Sequence, residues 1–113
     1  MSEFINFLHE VFSSFGLITT RKMFGGFGIY HDSLMFALVA NDTLYLKADD
    51  STKQNFIDKD LPPFEYNKGD KKVQMSYYLA PEEIYDDPDE AVYWARLAFQ
   101  AVLNSQSTRK KIH

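Results

Sequence analysis

Residues 21–48 read RKMFGGFGIYHDSLMFALVANDTLYLKA and carry the plainest strand signals in the chain. Three runs rich in apolar residues, 21–30, 33–40 and 43–48, are separated by the two-residue turns HD and ND. Turns this short join antiparallel strands, because a parallel pair needs a crossover of a dozen or more residues. The middle run is almost continuously apolar, which predicts that both faces of the sheet are covered there.

A helix is predicted before these strands. Phe4, Leu8, Val11 and Phe15 recur at steps of three and four residues, which is the spacing of an amphipathic helix. Gly16 follows the last of them, in the position of a left-handed C-terminal cap. We therefore expect one apolar helical face that packs on the sheet.

A short helix and a second hairpin are predicted after the first three strands. Asp49 or Asp50 is placed to cap a helix that runs through about Asp58. Residues 64–66 and 71–79 then form two more strand-like runs around the turn sequence NKGD. This hairpin brings the predicted number of strands to about five.

The last predicted helix begins at the sequence DPDE, residues 87–90, where Asp is the cap, Pro is the first helical residue and Glu completes the capping box. The resulting order is α-β-β-β-α-β-β-α, which predicts a two-layer α+β fold with helices packed on an antiparallel sheet. We expect one domain over residues 1–113, ordered over about 2–104, with a polar tail at 105–113.

The composition is that of a soluble globular protein. The chain has 113 residues, of which 45% are hydrophobic and 25% charged, and it has no cysteine. These values exclude bulk disorder and disulfide bonds. The sequence has no apolar run long enough to cross a bilayer, and its start lacks the basic region of a signal peptide, so we expect a cytoplasmic protein. The net charge of −4 argues against a free-standing nucleic-acid binder.

Several motifs that resemble chemical sites have simpler explanations. The glycine-rich residues 25–28 lead into a strand and not into a helix, so they lack the geometry of a phosphate-binding loop. They predict instead a bulge, or a place where a backbone or a ring packs closely. His9, His31 and His113 are isolated, and the acidic run 82–90 lacks the spacing of a calcium loop. We therefore predict no catalytic residue, no metal and no cofactor, and hence no enzyme.

Aromatic and basic residues remain as candidates for binding. Aromatic residues make up 16% of the chain, and those that are exposed would mark a protein interface. The candidate protein-binding residues are Arg21, Lys22, Phe24, Phe27, Tyr30, Tyr77 and Tyr78. The alternative is direct contact with nucleic acid, for which the candidates are Lys68, Lys71, Lys72, Arg109, Lys110 and Lys111. A free sheet edge is also compatible with a homodimer.

Taken together, the motifs resemble those of one family, the N-terminal domain of the TfoX/Sxy proteins, which regulate natural competence in bacteria. The resemblance covers about residues 4–103. The stretches that carry it are residues 21–30, Leu34–Ala37, Leu44–Lys47, Phe64 with Tyr66, Met75–Tyr78, Pro81–Glu83 and Trp94-Ala95. The chain resembles in particular the stand-alone members, which lack the helical C-terminal domain typical of the regulators.

The resemblance implies an α+β domain with an antiparallel sheet and a non-enzymatic role. It also implies that the partner is a protein of the transcription machinery, either the cAMP receptor protein or RNA polymerase, with contact to DNA only indirect. We therefore predict a regulatory or adaptor domain that acts by protein–protein interaction on competence (DNA transformation) genes. The alternative is an accessory protein that binds nucleic acid through the lysine hairpin and the basic tail.

Overall fold

The elements follow one another in nearly the predicted order. The computed structural model describes residues 3–23 and 25–112, with side chains as far as Gln106. The strands are β1 (Thr19–Met23), β2 (Gly26–His31), β3 (Leu34–Ala40), β4 (Thr43–Lys47), β5 (Pro63–Lys68) and β6 (Lys71–Leu79). The helices are α1 (Glu3–Val11), α2 (Lys53–Ile57) and α3 (Pro88–Ile112), and a 3-10 turn spans Glu82–Tyr85.

The six strands form one antiparallel sheet in the order β1-β2-β3-β4-β6-β5. The predicted α+β class is confirmed, but the sheet has six strands where about five were expected. The difference arises in residues 21–30, which fold back on themselves so that Met23 pairs with Gly26. Gly25 makes this turn with a φ of +77°, a conformation that glycine adopts without steric cost.

The hydrophobic core lies between the helices and one face of the sheet. A row of cross-strand neighbours, Ile29, Ala37 and Leu46, faces the helices and is fully buried. The helices and the turn after α1 contribute the opposing side chains, and the principal ones are Ile5, Leu8, Phe12, Phe56, Trp94, Ala95 and Ala98. This layer of apolar side chains supplies most of the driving force for folding, at about 25 cal/mol for each Å² removed from water.

A bulge in the β2–β3 pairing changes how β3 presents its side chains. Ile29 lies opposite Ala37, but the next residue, Tyr30, lies opposite Met35, so Phe36 is an extra residue in β3. Phe36 and Ala37 consequently both belong to the core, although neighbours in a regular strand face opposite sides.

The second face of β3 has no helix on it among the described residues. Leu38 faces this side and is nevertheless only 7% exposed, because side chains of neighbouring strands fold over it. The prediction that both faces of the sheet are covered is therefore wrong for the described residues: helices cover one face, and on the other Leu38 lies among side chains of the same sheet.

The predicted cap of α1 is wrong. The helix ends at Val11, and the turn that follows closes with a hydrogen bond from the Gly16 amide to the Phe12 carbonyl oxygen at 3.0 Å. Gly16 has a φ of +154°, which is not the left-handed helical conformation of a cap. This φ favours glycine, and a Cβ would also lie 2.7 Å from Cε1 of His31, so that the ring would have to move.

Asp49 connects the end of the sheet to two helices. Its Oδ1 accepts the backbone N–H groups of Ser51 and Thr52, both at 3.0 Å, just before α2. Its Oδ2 accepts a hydrogen bond of 2.9 Å from the Asn104 amide on α3. Burial acts to raise the pKa of Asp49, but these hydrogen bonds outweigh burial and lower it.

Asp87 caps α3 as the sequence predicts. Its Oδ1 accepts the backbone N–H of Asp89 at 2.9 Å and that of Glu90 at 3.5 Å. We expect Asp87→Ala to lower the free energy of unfolding by about 1 kcal/mol, because it leaves two helix donors without a protein acceptor. Asp87→Asn keeps the acceptor and should cost much less. Urea denaturation of both variants tests this, and equal stability of Asp87→Ala and the parent chain would contradict it.

Candidate partner-binding surface

The face of the sheet opposite the helices forms a concave apolar surface, which we call the open face. One cavity of about 210 Å³ lies on it. Its lining includes Met23 of β1, Met35 and Leu38 of β3, Phe64 of β5, and Met75 and Tyr77 of β6. Side chains from both ends of the strand order thus surround one space, which shows that the sheet curves around it.

The glycines of β2 allow the strands to approach one another here. A Cβ on Gly26 would lie 2.0 Å from the carbonyl oxygen of Val39. A Cβ on Gly28 would meet the Tyr30 ring at 3.0 Å and the sulfurs of Met23 and Met35 at 3.2 Å. The prediction that a backbone or a ring packs closely in this stretch is therefore confirmed at Gly26 and Gly28.

Two cations lie over tyrosine rings on the open face. The guanidinium carbon of Arg21 is 5.3 Å from the centroid of the Tyr30 ring. The Lys47 ammonium is 5.2 Å from the centroid of the Tyr77 ring, which itself lines the cavity. Contacts of this kind orient a cation at the surface and contribute about 0.5–1 kcal/mol at exposed sites.

Charge is divided unevenly between the sheet and the rest of the chain. The six strands contain six lysine and arginine residues but one acidic residue, Glu65. Three more acidic residues, Asp32, Asp42 and Asp70, lie in the hairpin turns, and the other 12 of the 16 lie in the helices and their connections. The net charge of −4 is therefore the sum of a basic sheet and an acidic helical layer.

The candidate protein-binding residues separate into two groups. Arg21, Tyr30 and Tyr77 come together on the open face. Phe27 packs against the core and is also part of the cavity lining. Tyr78 packs against the core alone, and its ring stacks on Phe56 with 5.3 Å between the centroids. The remaining two are Lys22, which is exposed on β1, and Phe24, which lies outside the described residues.

The sequence reasoning missed the methionines, Phe64 and Lys47. Met23, Met35 and Met75 are the methionines of the described part of the chain, and all three line the cavity. They were missed because the strand register is not known from the sequence. Without the bulge and the β1–β2 turn, a methionine in a strand is indistinguishable from an ordinary core residue.

The nucleic-acid candidates form a separate feature, which we call the lysine ribbon (residues 65–74). β6 pairs with β4 over Tyr77–Leu79, whereas its first residues pair with β5 alone. Every residue from 65 to 72 is exposed, and Lys68 lies directly opposite Lys71 across the Gly69-Asp70 turn. The backbone of the basic tail, 109–111, continues α3, and its side chains lie outside the described residues.

Other chemistry has little support in the described chain. Within the described residues, His, Asp and Glu do not gather in groups of three that could hold a metal ion. A buried polar atom without a partner is the indole Nε1–H of Trp94, whose ring packs on Phe56 at 5.0 Å. Among the helices described, none has the length and hydrophobicity needed to cross a membrane.

Two tyrosines titrate abnormally, and this gives a pH dependence. Burial, with a smaller effect of the Tyr30 phenol, raises the pKa of Tyr77 to about 12. Burial and the Glu82 carboxylate raise the pKa of Tyr85 to about 12. Because folding favours the neutral phenols, their contribution to stability is complete below pH 10.0 and is lost as the pH rises through about 12.

We therefore expect Tyr77 and Tyr85 to ionise late in an ultraviolet titration, together with a fall in the melting temperature between pH 10.0 and about 12. Tyr77→Phe should remove one of the two late transitions, and this loss assigns that transition to Tyr77. Ionisation of Tyr77 and Tyr85 near pH 10.0 with the fold intact would contradict this account of their burial.

These features define a small two-layer α+β domain with a concave apolar face on the side of the sheet away from the helices. A family model for the TfoX N-terminal domain matches residues 10–102, and the chain belongs to that family. It is 27% identical over 100 residues to Protein Sxy of Escherichia coli (strain K12), an alignment that covers 88% of this chain and 48% of Sxy. The chain thus spans about half the length of this curated relative, and the resemblance predicted from the sequence is confirmed.

Proposed function

We propose that this chain is a non-enzymatic regulatory domain that acts by binding another protein in the control of competence genes. The observation that carries the proposal is the cavity of the open face, which methionine and aromatic side chains line, together with the two cations that lie over tyrosine rings of the same face. Surfaces of this composition are typical of protein interfaces, in which aromatic residues, methionine and arginine are enriched. Membership of the TfoX N-terminal domain family supports the regulatory role.

The partner we propose is the cAMP receptor protein at a competence-type promoter, in line with the family resemblance. The test is fluorescence anisotropy of a labelled promoter fragment, titrated with this chain in the presence and in the absence of the receptor protein with cAMP. We expect an increase in anisotropy only when the receptor protein is already on the DNA. No increase in either arm would overturn the proposed partner.

A second candidate function, direct binding to nucleic acid, is favoured by the lysine ribbon. A two-stranded β-ribbon fits the major groove of DNA. Lysines directly opposite each other, such as Lys68 and Lys71, repel and cost stability, so an anionic partner would relieve a strain already present. This candidate requires that the chain bind DNA alone and that salt weaken the binding steeply.

The same anisotropy assay separates the two candidates. If the ribbon contacts phosphates, replacing Lys68, Lys71 and Lys72 together by alanine should reduce the slope of log K against log salt concentration by about 3. The matched control replaces Lys53 and Lys59, which lie on and just after α2 on the opposite side of the sheet, and should leave the slope unchanged. Binding that does not depend on salt would exclude the ribbon as a phosphate contact.

A further inference from the structure

We propose that the open-face cavity receives one bulky apolar side chain from a protein segment whose neighbouring residues are acidic. This inference rests on the proposed function, since it specifies the chemistry of the protein partner. It identifies the site by three independent properties of the described residues: the size of the cavity, the methionines that line it and the charges beside it.

The size of the cavity fits a single side chain. Its volume of about 210 Å³ is below the range of about 300–1,000 Å³ that holds cofactors and drug-sized ligands. A cavity of about 150 Å³ is known to hold a benzene molecule, so this one has room for a phenyl or an indole group. In many interfaces a few side chains in well-packed, desolvated pockets carry most of the binding energy, and this cavity offers one such pocket.

The lining favours a flexible apolar occupant. Met23, Met35 and Met75 approach from three different strands, and each side chain is partly exposed. Methionine has three rotatable bonds and a polarisable sulfur, so it adapts to ligands of different shape and makes favourable contacts with aromatic rings. Tyr77 adds the edge of a neutral ring whose hydroxyl remains protonated at physiological pH.

The charges beside the cavity favour acidic flanking residues. Arg21 is held over Tyr30, and Lys47 over the cavity residue Tyr77. Glu65, the acidic residue in the strands, is engaged by a 2.9 Å hydrogen bond from the Gln74 amide. Complementary charge around an apolar centre increases the association rate and selects among partners.

Two other occupants agree less well with these observations. A second copy offers its acidic segment 82–90, but that contact would be head to tail, and repeated contacts of this kind form open chains unless they close into a ring. Nucleic acid would need exposed ring faces on which bases can stack, whereas Tyr77 is only 8% exposed. Both alternatives are outcomes of the experiment below.

The test uses the full chain with methionine methyl groups labelled with carbon-13, so that NMR observes the cavity directly. The probe is a short synthetic peptide with one tryptophan between glutamates. One control peptide has alanine in place of the tryptophan, and another has lysines in place of the glutamates. Single Met→Leu variants assign the signals of Met23, Met35 and Met75.

We expect the tryptophan–glutamate peptide to shift all three methionine signals in a saturable way. The lysine-flanked peptide should bind at least tenfold more weakly, and the alanine peptide should not bind. The proposal would be overturned if none of the peptides shifted the methionine signals. It would also be overturned if the alanine peptide shifted them as much as the tryptophan–glutamate peptide does. Shifts that appear on raising the protein concentration alone, or that single-stranded DNA produces instead of the peptide, would overturn it as well.

Two variants keep the result independent of a folding defect. Ala40→Phe fills the cavity and should abolish binding, whereas Tyr93→Ala on the exposed side of α3 should bind normally. Arg21→Glu changes an exposed residue, so the variant should fold. It should bind the glutamate-flanked peptide more weakly and the lysine-flanked peptide more tightly than the parent chain does. If the peptide binds but no complex forms at the promoter, the proposed partner is wrong and the proposed role of the cavity stands. If the promoter complex forms but the peptide does not bind, the proposed role of the cavity is wrong and the proposed partner stands.

Discussion

Gly26→Ala is expected to lower the free energy of unfolding by about 3 kcal/mol, the upper end of the usual cost of overpacking. A Cβ at this position would lie 2.0 Å from the carbonyl oxygen of Val39, a distance that atoms of a folded chain do not adopt. The obstacle is backbone, so no side chain can rotate away to relieve it. The β2–β3 pairing would have to separate, and β3 lies next to the middle of the sheet.

Gly25→Ala is the matched control for this prediction. A Cβ on Gly25 has no atom of the described residues within 4 Å, and its cost arises from the φ of +77° alone. That conformation costs a residue with a side chain about 1–2 kcal/mol. Urea denaturation of the two variants measures the difference. Equal losses, or a smaller loss for Gly26→Ala, would show that β2 and β3 do not approach as closely as described.

Phe36→Ala is expected to cost about 3–5 kcal/mol, which is typical of removing a buried ring. Phe36 is fully buried, and its ring centroid is 5.6 Å from that of Phe12, 5.4 Å from Phe15 and 6.4 Å from Phe99. The substitution therefore removes the centre of an aromatic cluster that joins the turn after α1 to β3 and α3. Against a total stability of about 5–15 kcal/mol, this loss leaves a marginal fold.

Leu17→Ala provides the comparison for Phe36→Ala. Leu17 is 90% exposed, so its truncation should change the stability by less than about 0.5 kcal/mol. Thermal unfolding followed by circular dichroism measures both variants. A loss below about 2 kcal/mol for Phe36→Ala would mean that the cluster can collapse around the missing ring, contrary to its central position.

Most of the fold could be predicted from the sequence because helix caps and hairpin turns are determined by residues that are close together in the chain. The DPDE cap and the HD and ND turns each need only a few neighbouring residues, and the structure places a helix or a hairpin at each of them. The turn at Gly25 was missed because an apolar, glycine-rich run resembles one strand until its partner is known. The end of α1 was missed because the apolar spacing continues to Phe15, which lies in the turn after the helix.

The open face could not be predicted in the same way. In a regular strand, Met35 and Leu38 would face opposite sides, because they are three residues apart. The bulge at Phe36 places them on the same side, and this follows from the pairing with β2 and not from the sequence of β3. Phe64 joins them only because β5 lies at the far edge of a curved sheet.

The central claim, that the open face binds a protein, can be tested most directly by site-specific photo-crosslinking in cells. A benzophenone amino acid replaces Tyr30 on the open face in one strain and Tyr93 on the helical face in another. We predict a discrete protein adduct from position 30, lost when Ala40→Phe fills the cavity, and no such adduct from position 93. Adducts from position 93 alone, or an adduct at position 30 that Ala40→Phe leaves unchanged, would contradict the claim.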